Sequence, residues 1–517
     1  MALAEKLIKN ILSNWTGLIV NIVISFFLAP FVVQKLGNTY YGIWVIMMQF
    51  TGYLYLLDFG IRESIIRYVS KFEAVKNVRE LNEIISGGAV LYTLIGLLCM
   101  LISLLLAWGF PYLFSIEAED HFVARMVVVI CGATIAQALA FNVFIGIVMG
   151  LQRYDVLNGI GIVLALFRTA TIVLLLSLGY TLLALALIQL VFGLLNNSAV
   201  AWYAARELRK KQIPLTFVRA PWAERVTIFK TLYSYSIHVV INNLGQKAIY
   251  YTDALVIGLF VSAPAVTFYA IAGNLIEYLR RLILLANSVL NPAVSELESK
   301  AETGSIQELL VQGSRFSVLV ALPICITYLT MGRNFIGIWM GSEYAQRSGD
   351  ILFILSVSTL LSLPQNTISS VLYGISKHHV IAKLRLVEAI ANLILSLALV
   401  QFLGIVGVAL GTAVPQVIMM GMVLPICVSR VVGFSIGNYY RQVYLAPIAT
   451  ALPFFVLSIL VNKWYLAASM AVFFFQVFAL LCIYIVCVYM MCFSGRERII
   501  IRRAIRDVLN FLKTTKY

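Results

Sequence analysis

Long apolar runs recur along the whole chain, and short polar stretches separate them. Each run extends for about 20 residues or more, the length that an α-helix needs to cross the hydrocarbon core of a bilayer. The first run, Ile11 to Val33, is too long for the apolar core of a signal peptide and predicts an uncleaved span. The pattern therefore predicts an all-α polytopic membrane protein.

The apolar pattern defines fourteen predicted transmembrane helices. They cover residues 11–33, 39–61, 84–108, 123–149, 156–178, 181–204, 232–261, 265–290, 314–332, 350–374, 380–402, 405–429, 441–461 and 465–492. The composition agrees with this count. Hydrophobic residues make up 61% of the chain and charged residues only 12%, against roughly 25% charged in soluble proteins. A soluble domain and a disordered chain are both excluded.

The net charge of +15 is distributed in a way that orients the chain. If the N-terminus is cytoplasmic, the cytoplasmic loops hold 29 Lys and Arg residues and the opposite loops hold 5. Such a bias predicts two cytoplasmic termini and no nucleic-acid partner. The seven cysteines show no paired spacing and are interpreted as small apolar residues. We expect no cofactor.

The chain repeats itself at a spacing of about 224 residues. The segment Val148–Val156 resembles Leu372–Val380, and Gly150 corresponds to Gly374. Six spans separate the two copies, and an even number preserves orientation. The pattern predicts two six-helix lobes related by a parallel repeat about an axis along the membrane normal, plus two extra C-terminal helices.

The repeat sets the predicted domain boundaries. They are an N-lobe at 1–205, a basic cytoplasmic linker at 206–231, a C-lobe at 232–430, two further spans at 431–493 and a cytoplasmic tail at 494–517. The pattern of the tail predicts a basic amphipathic helix that rests on anionic lipids of the cytoplasmic leaflet.

Ionisable residues inside or beside the spans are the candidates for function, because a charge at the bilayer centre costs about 2.5–3.5 kcal/mol. The basic ones are Arg62, Arg67, Arg168, Lys247, Arg280 and Arg281, and the acidic ones are Asp58, Asp253 and Glu277. Asp58 and Arg62 are four residues apart and can pair on a helix. Glu277 stands three and four residues before two arginines.

These candidates have two interpretations each. The acid–base neighbours can be structural salt bridges, and Arg62 and Arg67 can be anchors at the cytoplasmic surface. Arg168 and Lys247 lack a partner on their own helix, which favours a cavity-facing role. A cavity with several cations suits an anionic head group, and acids nearby can bind a coupling proton or sodium ion. No P-loop sequence is present, so ATP hydrolysis is not expected.

Several motifs resemble one known family. They are Leu28-Ala-Pro-Phe-Val-Val-Gln-Lys-Leu-Gly37 with Tyr41-Gly-Ile-Trp44, Leu57-Asp-Phe-Gly-Ile61 with Ile66-Arg-Tyr68, and Leu290-Asn-Pro-Ala-Val-Ser-Glu-Leu297. Together they are similar to the polysaccharide-transporter branch of the multidrug/oligosaccharidyl-lipid/polysaccharide (MOP) flippase superfamily, over essentially the whole chain.

The resemblance implies a flippase in the bacterial cytoplasmic membrane. Members of this branch move undecaprenyl-pyrophosphate-linked oligosaccharides outward for O-antigen, capsule or exopolysaccharide assembly, by alternating access and beside a polysaccharide polymerase. The resemblance also implies that basic residues in a central cavity bind the pyrophosphate. Here Arg62, Arg67, Arg168, Lys247, Arg280 and Arg281 are the candidates. Asp58, Asp253 and Glu277 are the candidates for ion coupling.

Three other functions compete with this interpretation. A multidrug/cation antiporter of the same superfamily should concentrate acids in its cavity and has twelve spans by family precedent. A peptidoglycan-precursor flippase shares the pyrophosphate chemistry and stays open as an alternative. A membrane glycosyltransferase needs a large external loop with catalytic carboxylates, whereas the longest predicted outside loop is Gly109–Phe122. An enzyme is therefore not expected.

Overall fold

The computed structural model describes residues 2–75, 77–213, 216, 245, 247, 249, 251–287, 297, 303–375, 377–493 and 498. These residues are 91% helical, and they contain no β-strand. In the hydrocarbon core of a membrane every backbone N–H and C=O must be paired within the protein, and a continuous helix does this without a partner segment. The predicted all-α membrane architecture is confirmed.

The helices follow one another with short connections. In chain order they are α1 Ala2–Leu54, α2 Ile61–Ala74, α3 Val78–Leu113, α4 His121–Gly150, α5 Tyr154–Ser177, α6 Leu182–Lys210, α7 Tyr251–Phe260, α8 Ala263–Asn287, α9 Thr303–Trp339, α10 Ser342–Ser362, α11 Gln365–Gly374, α12 His378–Leu403, α13 Ile405–Gln416, α14 Leu424–Val432, α15 Ile436–Tyr440, α16 Ala446–Trp464 and α17 Met470–Met491. Two π-helical segments, Val417–Val423 and Arg441–Leu445, continue α13 and α15.

Among the described residues, eleven helical segments are long and apolar enough to cross a membrane. The difference from fourteen has a local cause. Helix α1 contains the first predicted span and most of the second, and the two meet at a break where Gly37 has φ 71° and ψ 173°. The predicted span at 232–261 lies partly outside the described residues, and α7 forms its described end. The span at 265–290 corresponds to α8.

The chain divides into two compact units. The first comprises Met1–Ala270 with Arg385–Thr412, and the second comprises Ile271–Leu384 with Ala413–Tyr517. The boundaries fall inside α8, α12 and α13 rather than in loops. Most of the predicted linker at 206–231 and nearly all of the tail at 494–517 lie outside the described residues.

The two segments that the predicted repeat aligns share one turn. After α4, the Arg153 amide donates to the Val148 carbonyl at 3.0 Å, and after α11 the Lys377 amide donates to the Leu372 carbonyl at 2.8 Å. These are the positions that the sequence comparison aligns. Both copies therefore end one helix and begin the next with the same turn.

Small residues in α4 allow close packing within the first unit. A Cβ atom added at Gly146 would lie 2.8 Å from Ile65, and one added at Gly150 would lie 2.8 Å from Val69. Both neighbours belong to α2, so α2 and α4 approach along this glycine pair. The buried core around this contact contains Ile61, Leu81, Leu139 and further residues of α2, α3 and α4.

Candidate functional site

Asp58 is a buried acid at the junction between α1 and α2. The chain leaves α1 through a 3₁₀ turn, Tyr55–Asp58, and Phe59 and Gly60 then adopt left-handed backbone angles with φ 49° and 69°. Glycine adopts this conformation without a Cβ clash, which ends the helical path here. Asp58 is only 7% exposed, and its Oδ1 accepts a hydrogen bond from the Tyr92 hydroxyl of α3.

The break also decides which residues pair. Arg62 is the second residue of α2, beyond the left-handed residues, so the i,i+4 geometry of a continuous helix does not apply to Asp58 and Arg62. The predicted ion pair between them does not form. Arg62 instead contacts Glu63, with 3.3 Å between Nη2 and Oε1. In the part of the chain that is described, its Nε has no hydrogen-bond partner.

Lys247 joins this cluster from the segment that precedes α7. Its Nζ donates to the Gly52 carbonyl of α1 at 2.7 Å and lies 5.2 Å from the centre of the Tyr55 ring and 5.8 Å from that of Tyr251. Arg62 and Lys247 both interact electrostatically with the Asp58 carboxylate. Two partly exposed cations thus lie near the buried carboxylate of Asp58, in the turn after α1, and Arg62 also contacts the partly exposed Glu63.

Neutral polar groups complete this cluster. The Tyr55 hydroxyl donates to Oδ1 of Asn142 in α4 at 3.0 Å, and among the described residues the Asn142 amide nitrogen has no partner. The sequence reasoning did not single out Tyr55, Tyr92 or Asn142. An asparagine inside the apolar run of α4 was the available signal. We name the set Asp58, Arg62, Lys247, Tyr92 and Asn142 the Asp58 cluster.

Arg168 lies in a separate polar cavity of the first unit, between α1, α5 and α6. The cavity has a volume of about 280 Å³. Its lining residues are Gly17, Asn21, Leu157, Asn158, Gly161, Ile162, Leu164, Ala165, Arg168, Gln189, Phe192, Gly193 and Asn196. This set, which we call the Arg168 pocket, holds one cation and four carboxamides, and none of these described lining residues is a carboxylate. Arg168 donates from Nη1 to Oε1 of Gln189 at 3.2 Å.

A second buried acid, Asp253, lies in α7. The Tyr269 hydroxyl of α8 donates to its Oδ2 at 2.5 Å, and the Thr412 hydroxyl of α13 lies 2.9 Å from both carboxylate oxygens. Thr412 also lies 3.2 Å from the Val408 carbonyl and accepts from the Asn392 amide at 2.9 Å. The Asn392 Oδ1 atom is buried without a hydrogen-bond partner in the described residues. We call this group the Asp253 cluster.

Helix α12, which contributes Asn392 to the Asp253 cluster, also contains a buried ion pair. Arg385 and Glu388 are both almost fully buried, with 3.2 Å between Nη1 and Oε2. Neither residue was selected as a site residue from the sequence. Glu388, Asn392 and Ser396 recur at a spacing of four, so they lie on one face of the helix.

The remaining candidates have different surroundings. In the second unit, Glu277 contacts Arg280 at 3.1 Å and Arg281 at 2.8 Å, which is the pairing that the i,i+3 and i,i+4 spacing predicts. Arg67 is exposed on α2, with its guanidinium 6.0 Å from the centre of the Tyr68 ring.

The family of the protein follows from a direct match. Residues 7–298, more than half of the chain, match the family described as "Polysaccharide biosynthesis protein". The chain belongs to this family, and the resemblance found in its motifs is confirmed.

Individual relatives support the same class. Agl15 of Haloferax volcanii, a probable low-salt glycan biosynthesis flippase, is 27% identical over 184 residues, which are 36% of this chain and 39% of that relative. The match thus spans less than half of that relative's length. A putative O-antigen transporter of Shigella flexneri is 20% identical over 421 residues, or 79% of this chain and 94% of that protein.

The fold has a solved counterpart. The lipid II flippase MurJ in its inward closed conformation matches with a TM-score of 0.70 and 12% identity, over 93% of this chain and 97% of that chain. At this identity the likeness shows a shared fold alone. The curated relatives named above are a probable flippase and a putative transporter, and the solved structure is that of a flippase.

Proposed function

We propose that the protein is a flippase for lipid-linked oligosaccharides. Its cargo would be a sugar repeat unit on undecaprenyl pyrophosphate, moved outward across the bacterial cytoplasmic membrane for O-antigen, capsule or exopolysaccharide assembly. The family match and the names of two relatives, a glycan flippase and an O-antigen transporter, support this class of cargo.

The observation that carries the proposal is the chemistry of the Arg168 pocket. A polar cavity of about 280 Å³ inside an apolar helical unit is costly to maintain unless a polar cargo uses it. Carboxamides donate and accept hydrogen bonds, as sugar hydroxyls require, and the arginine supplies positive charge. A cavity for cationic drugs would need an acid, and the described lining has none.

The Asp58 cluster is the proposed site for the pyrophosphate. Arg62 and Lys247 provide two cations, and a pyrophosphate that leaves water needs such charge-assisted hydrogen bonds. A proton on Asp58 would leave the cluster more positive and would strengthen phosphate binding. By linkage, bound phosphate would then raise the proton affinity of Asp58 by the same factor. Co-binding of this kind would move the proton outward together with the cargo, so it would not draw on an inward proton gradient.

The Asp253 cluster is the proposed second coupling site. The Thr412 hydroxyl has one hydrogen, yet three oxygen atoms lie within 3.2 Å of it, two on Asp253 and one on Val408. These oxygens lie close together, and the buried Oδ1 of Asn392 belongs to a side chain that contacts Thr412. A proton or a sodium ion bound among these oxygens would balance the charge. Glu277, the third predicted coupling acid, has two arginine partners.

The transport cycle in this proposal is alternating access, driven by an ion gradient or by the cargo's own gradient. Arg67, Arg280 and Arg281 stay in the proposal as further cargo contacts. The partners would be the lipid-linked oligosaccharide, a polysaccharide polymerase that receives it, and anionic lipids at the C-terminal tail. The tail and most of the basic linker lie outside the described residues, so these contacts stay predictions from sequence.

The proposed topology places both termini in the cytoplasm. We expect a reporter fused after Gly109 to be active outside, and fusions within 206–230 or after Tyr517 to be active inside, because the basic loops are retained in the cytoplasm. Paired alkaline phosphatase and green fluorescent protein fusions give opposite signals on the two sides and so control for expression. A cytoplasmic signal after Gly109 would contradict the proposed orientation.

The cargo class is tested with purified protein in liposomes that contain a fluorescent lipid-pyrophosphate oligosaccharide and no ATP. We expect the externally accessible sugar, measured with an added glycosidase, to fall with time as cargo crosses the bilayer. Protein-free liposomes are the control.

An inactive protein in that assay, combined with accumulation of a cationic dye under the same ion gradient, would favour the multidrug antiporter. The cargo of a peptidoglycan-precursor flippase also carries a pyrophosphate group. Only a comparison of cargoes can therefore distinguish this function from oligosaccharide flipping. Liposomes with lipid II in place of the oligosaccharide distinguish the two. Preference for lipid II would assign the protein to the precursor pathway.

A further inference from the structure

We propose that the Arg168 pocket is a subsite for one acidic sugar of the cargo, a sugar that carries a single carboxylate, and that this pocket makes the protein prefer acidic repeat units. The inference rests on the proposed function, since it names the part of the cargo that this pocket binds. Four properties of the pocket support it: its charge, the donor capacity of Arg168, its size and its apolar wall.

The charge of the pocket matches one negative charge. Arg168 is the single cation among the lining residues, and no carboxylate of that described set compensates it. A pyrophosphate carries about two negative charges and is better matched by the two cations of the Asp58 cluster. One arginine against one carboxylate leaves no excess charge, which matters inside an apolar helical unit.

The guanidinium has capacity for a ligand. An arginine has five N–H donors, and the described contact of Arg168 is a single hydrogen bond to the neutral Gln189. This bond holds one edge of the planar group. The geometry that a carboxylate prefers is two parallel hydrogen bonds from such a group, and lysine does not reproduce it.

The size of the pocket suits one sugar ring. A volume of about 280 Å³ is large enough to admit a pyranose ring with its hydroxyls. The amide nitrogens of Asn21, Asn158 and Asn196 donate to other groups of the protein, and their carbonyl oxygens can accept from sugar hydroxyls. Phe192 offers an apolar face to the ring.

Glycines keep the pocket open and provide a steric test. A Cβ atom added at Gly161, which lines the pocket, would meet no atom within 4 Å. A Cβ at this position therefore has room, and we expect the longer side chain of Gly161→Leu to occupy space in the pocket. Gly159 lies on the same helix, also has open space around an added Cβ, and is not part of the lining. Gly159→Leu is the matched control.

The binding test uses the full-length protein in lipid nanodiscs with free sugars as probes. Saturation-transfer NMR would compare sodium glucuronate with glucose, which has the same ring without the carboxylate. We expect glucuronate to bind at least tenfold more tightly than glucose, because the charge-assisted bond to arginine is absent for glucose. We expect Arg168→Gln and Gly161→Leu each to lower glucuronate binding about tenfold or more, and Gly159→Leu to leave it unchanged.

Three outcomes would overturn the subsite. They are equal binding of glucuronate and glucose, unchanged glucuronate binding in both pocket variants, and displacement of glucuronate by inorganic pyrophosphate at equimolar concentration. Glucuronate displaced by anionic lipid, in nanodiscs with and without phosphatidylglycerol, would assign the pocket to a lipid head group instead.

A transport assay separates this inference from the proposed function. In liposomes, two lipid-pyrophosphate disaccharides that differ only in glucuronate against glucose are compared. Faster flipping of the acidic cargo, lost in Arg168→Gln, supports both proposals. Equal rates for the two cargoes overturn the subsite and retain the flippase. Failure to flip either cargo overturns the flippase, and the NMR result then decides the subsite by itself.

Discussion

Replacing Arg62 and Lys247 together by alanine is expected to reduce flipping of lipid-linked oligosaccharide at least about a hundredfold. Each residue supplies a charge-assisted hydrogen bond, worth about 1.5–3 kcal/mol, to the pyrophosphate in our proposal. Their removal also leaves Asp58 without the two cations that interact with it. The cluster would then repel the phosphates instead of binding them. Initial rates in liposomes measure the effect.

Controls for this prediction separate charge from folding. Arg79→Ala with Lys210→Ala removes two basic residues whose side chains are 84% and 56% exposed and which pair with glutamates on their own helices. We expect near wild-type flipping from this control, because surface ion pairs contribute little. Arg62→Lys should retain partial activity. Membrane levels and thermal stability are compared for all variants. A well-folded double variant with more than a third of the wild-type rate would refute the proposed phosphate site.

Asp253→Asn is expected to abolish the response of flipping to an imposed ion gradient. Asparagine is similar in size but has no negative charge, so it cannot bind a proton or a cation as the carboxylate does. The ion would then no longer bind one state of the transporter more tightly than another. Flipping is measured in liposomes with a sodium gradient, a proton gradient or neither. A variant that responds to either gradient as the wild type does would remove Asp253 from the coupling mechanism.

Thr412→Val distinguishes the two coupling ions. The substitution removes an oxygen that lies 2.9 Å from both Asp253 oxygens but leaves the carboxylate able to bind a proton. Loss of the sodium response with a retained proton response would assign sodium to this site. Thr327→Val, at another buried threonine whose hydroxyl donates to the Pro323 carbonyl, is the matched control. We expect it to preserve both responses.

Part of the candidate site can be predicted from the amino-acid sequence, because an ionisable residue in an apolar run is costly and therefore conspicuous. Four such residues are Asp58, Arg168, Lys247 and Asp253. The spacing of Glu277 to its two arginines also predicts the ion pairs that the structure contains. Local rules of this kind work because a continuous helix fixes which neighbours can meet.

The same local rule is misleading at Asp58 and Arg62. Two left-handed residues interrupt the helix between them, and a pattern of apolar residues carries little information about such a break. The partners of Asp253 were also beyond reach, because Thr412 is distant in the chain and an isolated threonine in a span is usually unremarkable. Glu388 was likewise passed over although it is fully buried.

The sequence by itself determined the class of the molecule: an all-α membrane protein of the polysaccharide biosynthesis family with an internal repeat. These properties follow from apolar run lengths and short motifs, which are local along the chain. Only the tertiary structure decided which polar groups of different helices meet. The acid-free pocket around Arg168 and the oxygen-rich cluster at Asp253 join helices that lie far apart in sequence, and such contacts depend on packing between helices rather than on spacing within one.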